Sequence, residues 1–444
     1  MNHHDSQNHI MTLGGGEELH AVRLISHLWC AMAVGVLLSG VLCAQDRNSA
    51  LLELIDVLAK NGQITAEQAV ALKKAAQSPE RAPGVQTAVA PAKPVEAKST
   101  EAPRVVVVPK ENGITRLALS GKIHSQWDWI STKASSGPNP EARNNFLIRR
   151  LELAVNADIG KDWTGNFTAD FAASNVVNTA YIAYNGIPGE VIMLGHTKVP
   201  FVWEEETSDS VIKGVERSYS HRVIVEHPTR GIGSKNAGIH LRSTAKEGLV
   251  LWASITNPGA KNSAGQAGNI SNGLAYWARI GWVNKLGDGL LNVGIDGAYL
   301  PDYQPAGPLD AYAVHAHFTG PVFDFLTEVV RASYPRQGLS DSQLVGFMVE
   351  PTLKLSKTWE LVLRYSSIDS DGIGVSPSVP IRSAPGTGEF DRFDGYYIGG
   401  NCYFAGNAMR LTFGYDHANA KGRITGPANR NRLDGLHYRF QFLF

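Results

Sequence analysis

The chain has 444 residues, and its 41 Lys+Arg balance 41 Asp+Glu, so no overall charge directs it to nucleic acid. Three cysteines are too few for a disulfide framework. A near-neutral mean hydropathy excludes a bundle of membrane helices, but not a barrel, whose strands bury only alternate residues in lipid.

Residues 1–44 read as an export signal. Arg23 precedes an apolar run, Leu24–Leu42, and Leu42-Cys43-Ala44 before Gln45 has the small-residue character of a cleavage junction. The alternative is one membrane-spanning helix, against which His27 and the modest length of the run weigh. Translation starting at Met11 would shorten a leader that is otherwise long. Residues 45–77 read as a short helical hairpin. Leu51, Leu52, Leu54, Ile55 and Leu58 fall at helical spacing, Asn61-Gly62 interrupts, and Thr65-Ala66-Glu67-Gln68 restarts the pattern as a capping signature. A hairpin this small needs a partner for its stripe, either a coiled coil with other copies or the periplasmic end of a barrel. Residues 78–111, rich in Ala, Pro, Val and Lys, read as a linker, with Val105–Val108 as a short extra strand.

From residue 112 to 444 the pattern changes to period two. The clearest case is Leu436, Tyr438, Phe440, Phe442 and Phe444, which alternate with His437, Arg439 and Gln441. About sixteen such runs follow one another from Leu117 to Phe444, separated by Gly, Asn, Asp and Pro turns. Trp127, Trp129, Trp163, Tyr184, Trp282, Tyr299, Trp359, Tyr396 and Phe444 sit near strand ends, as interfacial girdles would. The predicted fold is an all-β transmembrane antiparallel barrel of about sixteen strands behind an N-terminal helical hairpin. A soluble sandwich or propeller would not gather aromatics at strand ends.

Two further stretches carry a resemblance. Asn144–Trp163 reads N-N-F-L-I-R-R-L-E-L-A-V-N-A-D-I-G-K-D-W, and Gly195–Ser218 reads G-H-T-K-V-P-F-V-W-E-E-E-T-S-D-S-V-I-K-G-V-E-R-S. With Leu51–Leu72, they resemble the phosphate-selective porin O/P family. The G-x-x-K-x-P-F segment is the specific part. The resemblance implies a sixteen-stranded, usually trimeric channel of the bacterial outer membrane that passes anions, phosphate among them.

A pore selects ions through the charges at its constriction. With the apolar faces toward lipid, the alternate residues Lys122, His124, Arg150, His240, Arg242, Arg279, His315, His317, Lys354, Arg364, Arg410 and Arg439 face the lumen. The same parity brings in Asp128, Glu152, Asp158, Asp170, Asp296, Glu328, Glu350, Glu360 and Asp416, so each arginine has a wall-pairing role as its alternative. Arg150 is the residue that the family's R-R pair supports. Arg149 has the opposite parity and is expected to face outward near an interface, unless the register slips by one residue. Val202–Asn236 is the longest stretch without alternation, and the resemblance places an inward loop there; the alternative is an outer loop over a subunit interface. Lys213, Arg217 and Arg222 are then constriction candidates, joined on the walls by Lys122, Arg242, Arg279, Arg364 and Arg410.

No G-x-S-x-G, H-E-x-x-H or Walker motif marks an enzyme. His315 and His317 share a strand face, but no carboxylate or cysteine stands at useful spacing, so no metal or other cofactor is expected. The expected partners are outer-membrane lipid, small anions and two further copies of the chain. The expected function is passive diffusion of small hydrophilic solutes, with preference for anions or phosphate. Its rival is a structural outer-membrane anchor with a plugged barrel.

Overall fold

The computed structural model describes residues 105–107, 113–135, 138–227, 231–257, 273–303, 307–336, 340–422 and 430–444, together with Val70. The export signal, the helical hairpin and most of the linker expected from the sequence lie outside the described residues. A short strand, β1 (Val105–Val107), is followed by β2 (Ile114–Ala134), β3 (Arg143–Ile159), β4 (Trp163–Asp170), β5 (Val177–Tyr184) and β6 (Glu190–Lys198). Helices α1 (Trp203–Glu206) and α2 (Tyr219–Ile224) come next. Then follow β7 (Lys235–Ser243), β8 (Gly248–Thr256), β9 (Ala275–Leu286), β10 (Gly289–Tyr303), β11 (Gly307–Thr319), β12 (Phe323–Tyr334), β13 (Ser342–Lys354), β14 (Trp359–Asp369), β15 (Arg392–Tyr403), β16 (Met409–Lys421) and β17 (Arg430–Leu443).

Strands β2 to β17 pair antiparallel in chain order, and β17 returns to β2 from Asn431 opposite Ala134 to Leu443 opposite Lys122. The result is a closed barrel of sixteen strands. Closure removes the edge strands that lipid could not hydrate. Alternation then sorts the side chains. On β17, His437, Arg439 and Gln441 are buried inside, while Phe440 and Phe442 stand exposed on the outer wall. Leu249, Leu251, Ile280, Trp282, Ile295, Val314 and Ile398 continue that apolar exterior. β1 pairs with Leu117–Leu119 of β2, the stretch below the point where β17 ends.

The wall is uneven. β2 has 21 residues and β3 has 17, but β4, β5 and β6 have 8, 8 and 9. The outer half of β3 therefore has β2 on one side and no β4 residue on the other, since β4 pairs only with Glu152–Ile159.

The segment after β6 turns into the barrel, as the resemblance implied. It enters through Val202, whose φ of 67 is unusual for a β-branched residue. Its α2 then lies against the inner wall of β13 and β14. Gly346 and Gly395 make the close approach possible, because a methyl group at either would collide with Ser220 or Tyr219. A second inward segment, residues 370–391, buries Val375, Val379, Ile381 and Ala384. These pack with Val223, Ile224, Phe393, Leu433, Leu344 and Ile368 into one apolar core inside one end of the barrel.

Candidate functional site

Where β2 through β7 face the lumen, the interior is charged. A cavity of about 570 Å³ lies there, between the wall and the inward segment. Its cationic lining is Lys122, Arg149, Arg150, Lys198, Arg217, Lys235 and Arg382, seven groups against the four carboxylates Glu152, Glu205, Asp209 and Glu226. A second cavity shares Lys122, Glu152, Thr168 and Ser208 with the first and reaches Ser120, Leu443 and Phe444 at the end of the barrel where the chain ends.

Both members of the Arg149-Arg150 pair point inward, which corrects the outward placement expected for Arg149. The cause is a β-bulge. His124 pairs with Arg150 and Ser125 with Ile148, so Arg149 is an extra residue on β3. Parity changes there: Phe146 and Ile148 face outward before it, Leu151 and Leu153 after it. The signal was present in the sequence as the spacing of apolar positions 146, 148, 151 and 153, which breaks period two by one residue.

Arg150 donates to Asp170 at 2.8 Å and reaches Asp209 of the inward segment at 2.7 Å. Arg217 also holds Asp209 and lies 3.9 Å from Glu205. Glu216 is the centre of the network. It accepts from Arg149 at 2.9 Å, Arg439 at 3.0 Å and Arg382 at 3.2 Å, with Arg222 at 3.7 Å. Burial alone would raise its carboxyl, but the guanidinium groups of Arg149, Arg382 and Arg439 outweigh burial and hold it well below the ordinary range. Asp209 is likewise held well below that range against burial, by Arg150, Arg217 and Lys122. Glu205 resists its own burial through Arg217, Lys198 and a hydrogen bond from His221, and sits at about 2. The carboxylates are thus fixed as anions, and the lining keeps its cationic excess.

The remaining sequence candidates divide by place. Lys122 lines the cavity and pairs with Glu152 at 2.8 Å. Arg242 faces the lumen, 3.4 Å from Glu206 and over the Trp252 ring. Lys213 pairs with Glu360 and Asp324, and Arg364 with Glu350, away from this lining. Arg222 is buried between the inward segments, donating to the Val379 carbonyl. Arg279 is buried against Asp296. Arg410 is buried beside Gln441, and no carboxylate pairs with it among the described residues. The Glu204-Glu205-Glu206 run is taken up by the interior: Glu204 accepts from Ser218, Glu205 from His221, and Glu206 lies by Arg242. Arg382 was not singled out from the sequence. It sits in residues 370–391, a Pro/Ser-rich stretch whose inward course no periodicity signals.

The family model for phosphate-selective porin O and P matches residues 122–307, from the wall of the cavity through the inward segment to the start of β11. That stretch belongs to the phosphate-selective porin O and P family. The barrel has the fold of an outer-membrane porin, and residues 122–307 carry the match to that porin family. Among solved structures, an anion-selective porin from Comamonas acidovorans is similar, at 12% identity over 73% of this chain and 99% of that one, with a TM-score of 0.53. The outer membrane channel DcaP of Acinetobacter baumannii is 17% identical over 74% of this chain and 98% of that one, with a TM-score of 0.49. At such identities the likeness concerns the fold. No curated protein matches the sequence.

Proposed function

We propose that this porin mediates passive diffusion of small hydrophilic solutes and prefers anions, phosphate among them. The observation that carries the preference is the cavity along β2 to β7, where seven cationic groups meet four carboxylates. The four lining residues that it shares with the second cavity support a path along that wall. The family's description and the name of the Comamonas porin point the same way. The low wall of β4 to β6 and the one-sided outer half of β3 support a homotrimer in which neighbouring copies cover that side. In this reading residues 1–44 are the export signal, 45–77 a periplasmic hairpin and 78–111 its linker.

The apolar filling of one end of the barrel favours a second reading, a plugged outer-membrane anchor. Planar-bilayer conductance under a potassium chloride gradient separates the two. Open channels whose reversal potential follows chloride are expected. Absence of conductance would leave the anchor, and a reversal potential following potassium would remove the anion preference.

A further inference from the structure

A second charged cluster lies on the opposite wall, and its balance is reversed. Asp296 on β10, His315 on β11 and Glu328 on β12 all point inward and are 0, 2 and 3% exposed. His315 and Glu328 are directly opposed across their strands, and Asp296 is a diagonal neighbour on the next. One ring nitrogen and one oxygen from each carboxylate lie within 4.8 Å of one another. The sequence could not show this, because the carboxylates reach His315 across the ladder and not along its own strand.

His315 is incompletely partnered. Nε2 lies 3.3 Å from the Asn292 side-chain oxygen, while Nδ1 is buried with no hydrogen-bond partner. The imidazole thus has an unused lone pair or proton on a ring that stands beside two buried carboxylates. The two carboxylates differ in their partners. Arg279 donates to both oxygens of Asp296, whereas no Lys or Arg lies within 4 Å of the Glu328 carboxylate among the described residues. Glu328 is thus a buried carboxylate without an ion pair, which burial penalises unless a cation or a proton offsets it.

A comparable trio, Glu205, His221 and Glu226, has the opposite surroundings. Arg217, Arg222 and Arg382 all lie within 4 Å of its carboxylates, and His221 is already bonded to Glu205 at 2.8 Å. Those guanidinium groups would repel an added cation. Both trios leave one ring nitrogen unpartnered, and of the two the wall trio is the one with a carboxylate, Glu328, that no guanidinium approaches within 4 Å among the described residues.

We propose that Asp296, His315 and Glu328 bind a divalent transition-metal ion. One imidazole and two carboxylates form a donor set suited to zinc and its first-row neighbours. The same carboxylates hold the root of the inward segment: Asp296 accepts from the backbone N–H of Val202 at 2.8 Å and Glu328 from that of Trp203 at 2.5 Å. The Trp203 ring also stacks on His315, with centroids 4.8 Å apart. An ion there would tie three wall strands to the point where the chain turns inward at Val202.

The test uses untagged full-length protein in detergent, stripped with a chelator and titrated with zinc chloride by calorimetry, with metal content measured after desalting. One zinc per chain is expected for the wild type, loss of that zinc in H315A and E328Q, and retention in H221A. A wild type that binds no zinc, H315A and E328Q that bind it unchanged, or loss confined to H221A would each overturn the site. Should the wall variants fail to fold, cobalt(II) titration of the wild type decides. A visible d–d band that zinc displaces and that persists in H221A supports the site, and no band, or a band lost in H221A, overturns it. None of these readouts depends on conductance.

Discussion

Two parts of one wall hold their interiors in different ways. At one end of β9 to β17 the inward segments meet Ala, Val, Leu, Ile and Phe side chains, and the space is filled by apolar contact. Along β2 to β7 the same inward segments meet Arg, Lys, Asp and Glu side chains, and a cavity remains. Strand alternation is common to both, so alternation does not decide what the interior holds. The inward-facing residues decide it. Apolar groups close on one another because that removes them from water. A surplus of cations held by fixed carboxylates keeps water and, in the proposed function, attracts anions. The filled region anchors the segments that the charged region uses as its inner bank.

The largest expected effect comes from removing the hub of the charged region. E216Q leaves Arg149, Arg222, Arg382 and Arg439 without their shared carboxylate, and breaking a buried ion cluster of this kind costs about 3–5 kcal/mol. Thermal unfolding in detergent should show it. In the filled region, I224A removes a fully buried side chain from the apolar core, at a cost of about 2–5 kcal/mol. Limited proteolysis should then cut within residues 202–227, where the parent is expected to resist. If I224A destabilises while cleavage there is unchanged, the filled region does not anchor the segment.

Acid should separate the regions next. Glu205 stands at about 2 in the folded barrel against an ordinary 4.5, so the unfolded chain takes up its proton first as pH falls. The stability it contributes is complete above about 4.5 and is lost as pH drops toward 2. The melting-temperature advantage of the parent over E205Q should be constant from neutral pH to about 5 and then shrink; an advantage already shrinking at pH 6 would assign the loss to other groups. R150Q removes a cavity cation and leaves Asp170 and Asp209 with one partner fewer. The reversal potential under a salt gradient should move toward that of potassium, and an unchanged value would exclude Arg150 from the ion path. The smallest effect belongs to the lipid face. Trp163 and Tyr184 are cross-strand neighbours with ring centroids 4.9 Å apart, and a double-mutant cycle to alanine should give a coupling of about 0.5–1.5 kcal/mol.

The fold was legible because lipid on one side and water on the other impose a two-residue repeat that survives in single strands. Leu436 to Phe444 shows it without reference to any other part of the chain. The inward segment was legible as an interruption of that repeat between Val202 and Asn236. What was not legible depends on partners far away in sequence. Glu216 gathers arginines from β3, α2, residues 370–391 and β17, and no local pattern announces such a meeting. The same holds for Asp296 and Glu328 beside His315. Arg149 failed for a different reason: strict alternation was assumed across a point where the chain had already departed from it.

That departure has a consequence for insertions and deletions in β3. The extra residue at Arg149 lets Phe146 and Ile148 share the outer wall with Leu151 and Leu153 despite an odd count between them. Losing one of the two arginines would restore a regular ladder with every other side chain still on its own side. Losing a residue anywhere else in the strand would turn part of it over, carrying Leu or Phe toward water and Glu or Asn toward lipid. This is therefore the one position in β3 where the chain can change length and remain a wall.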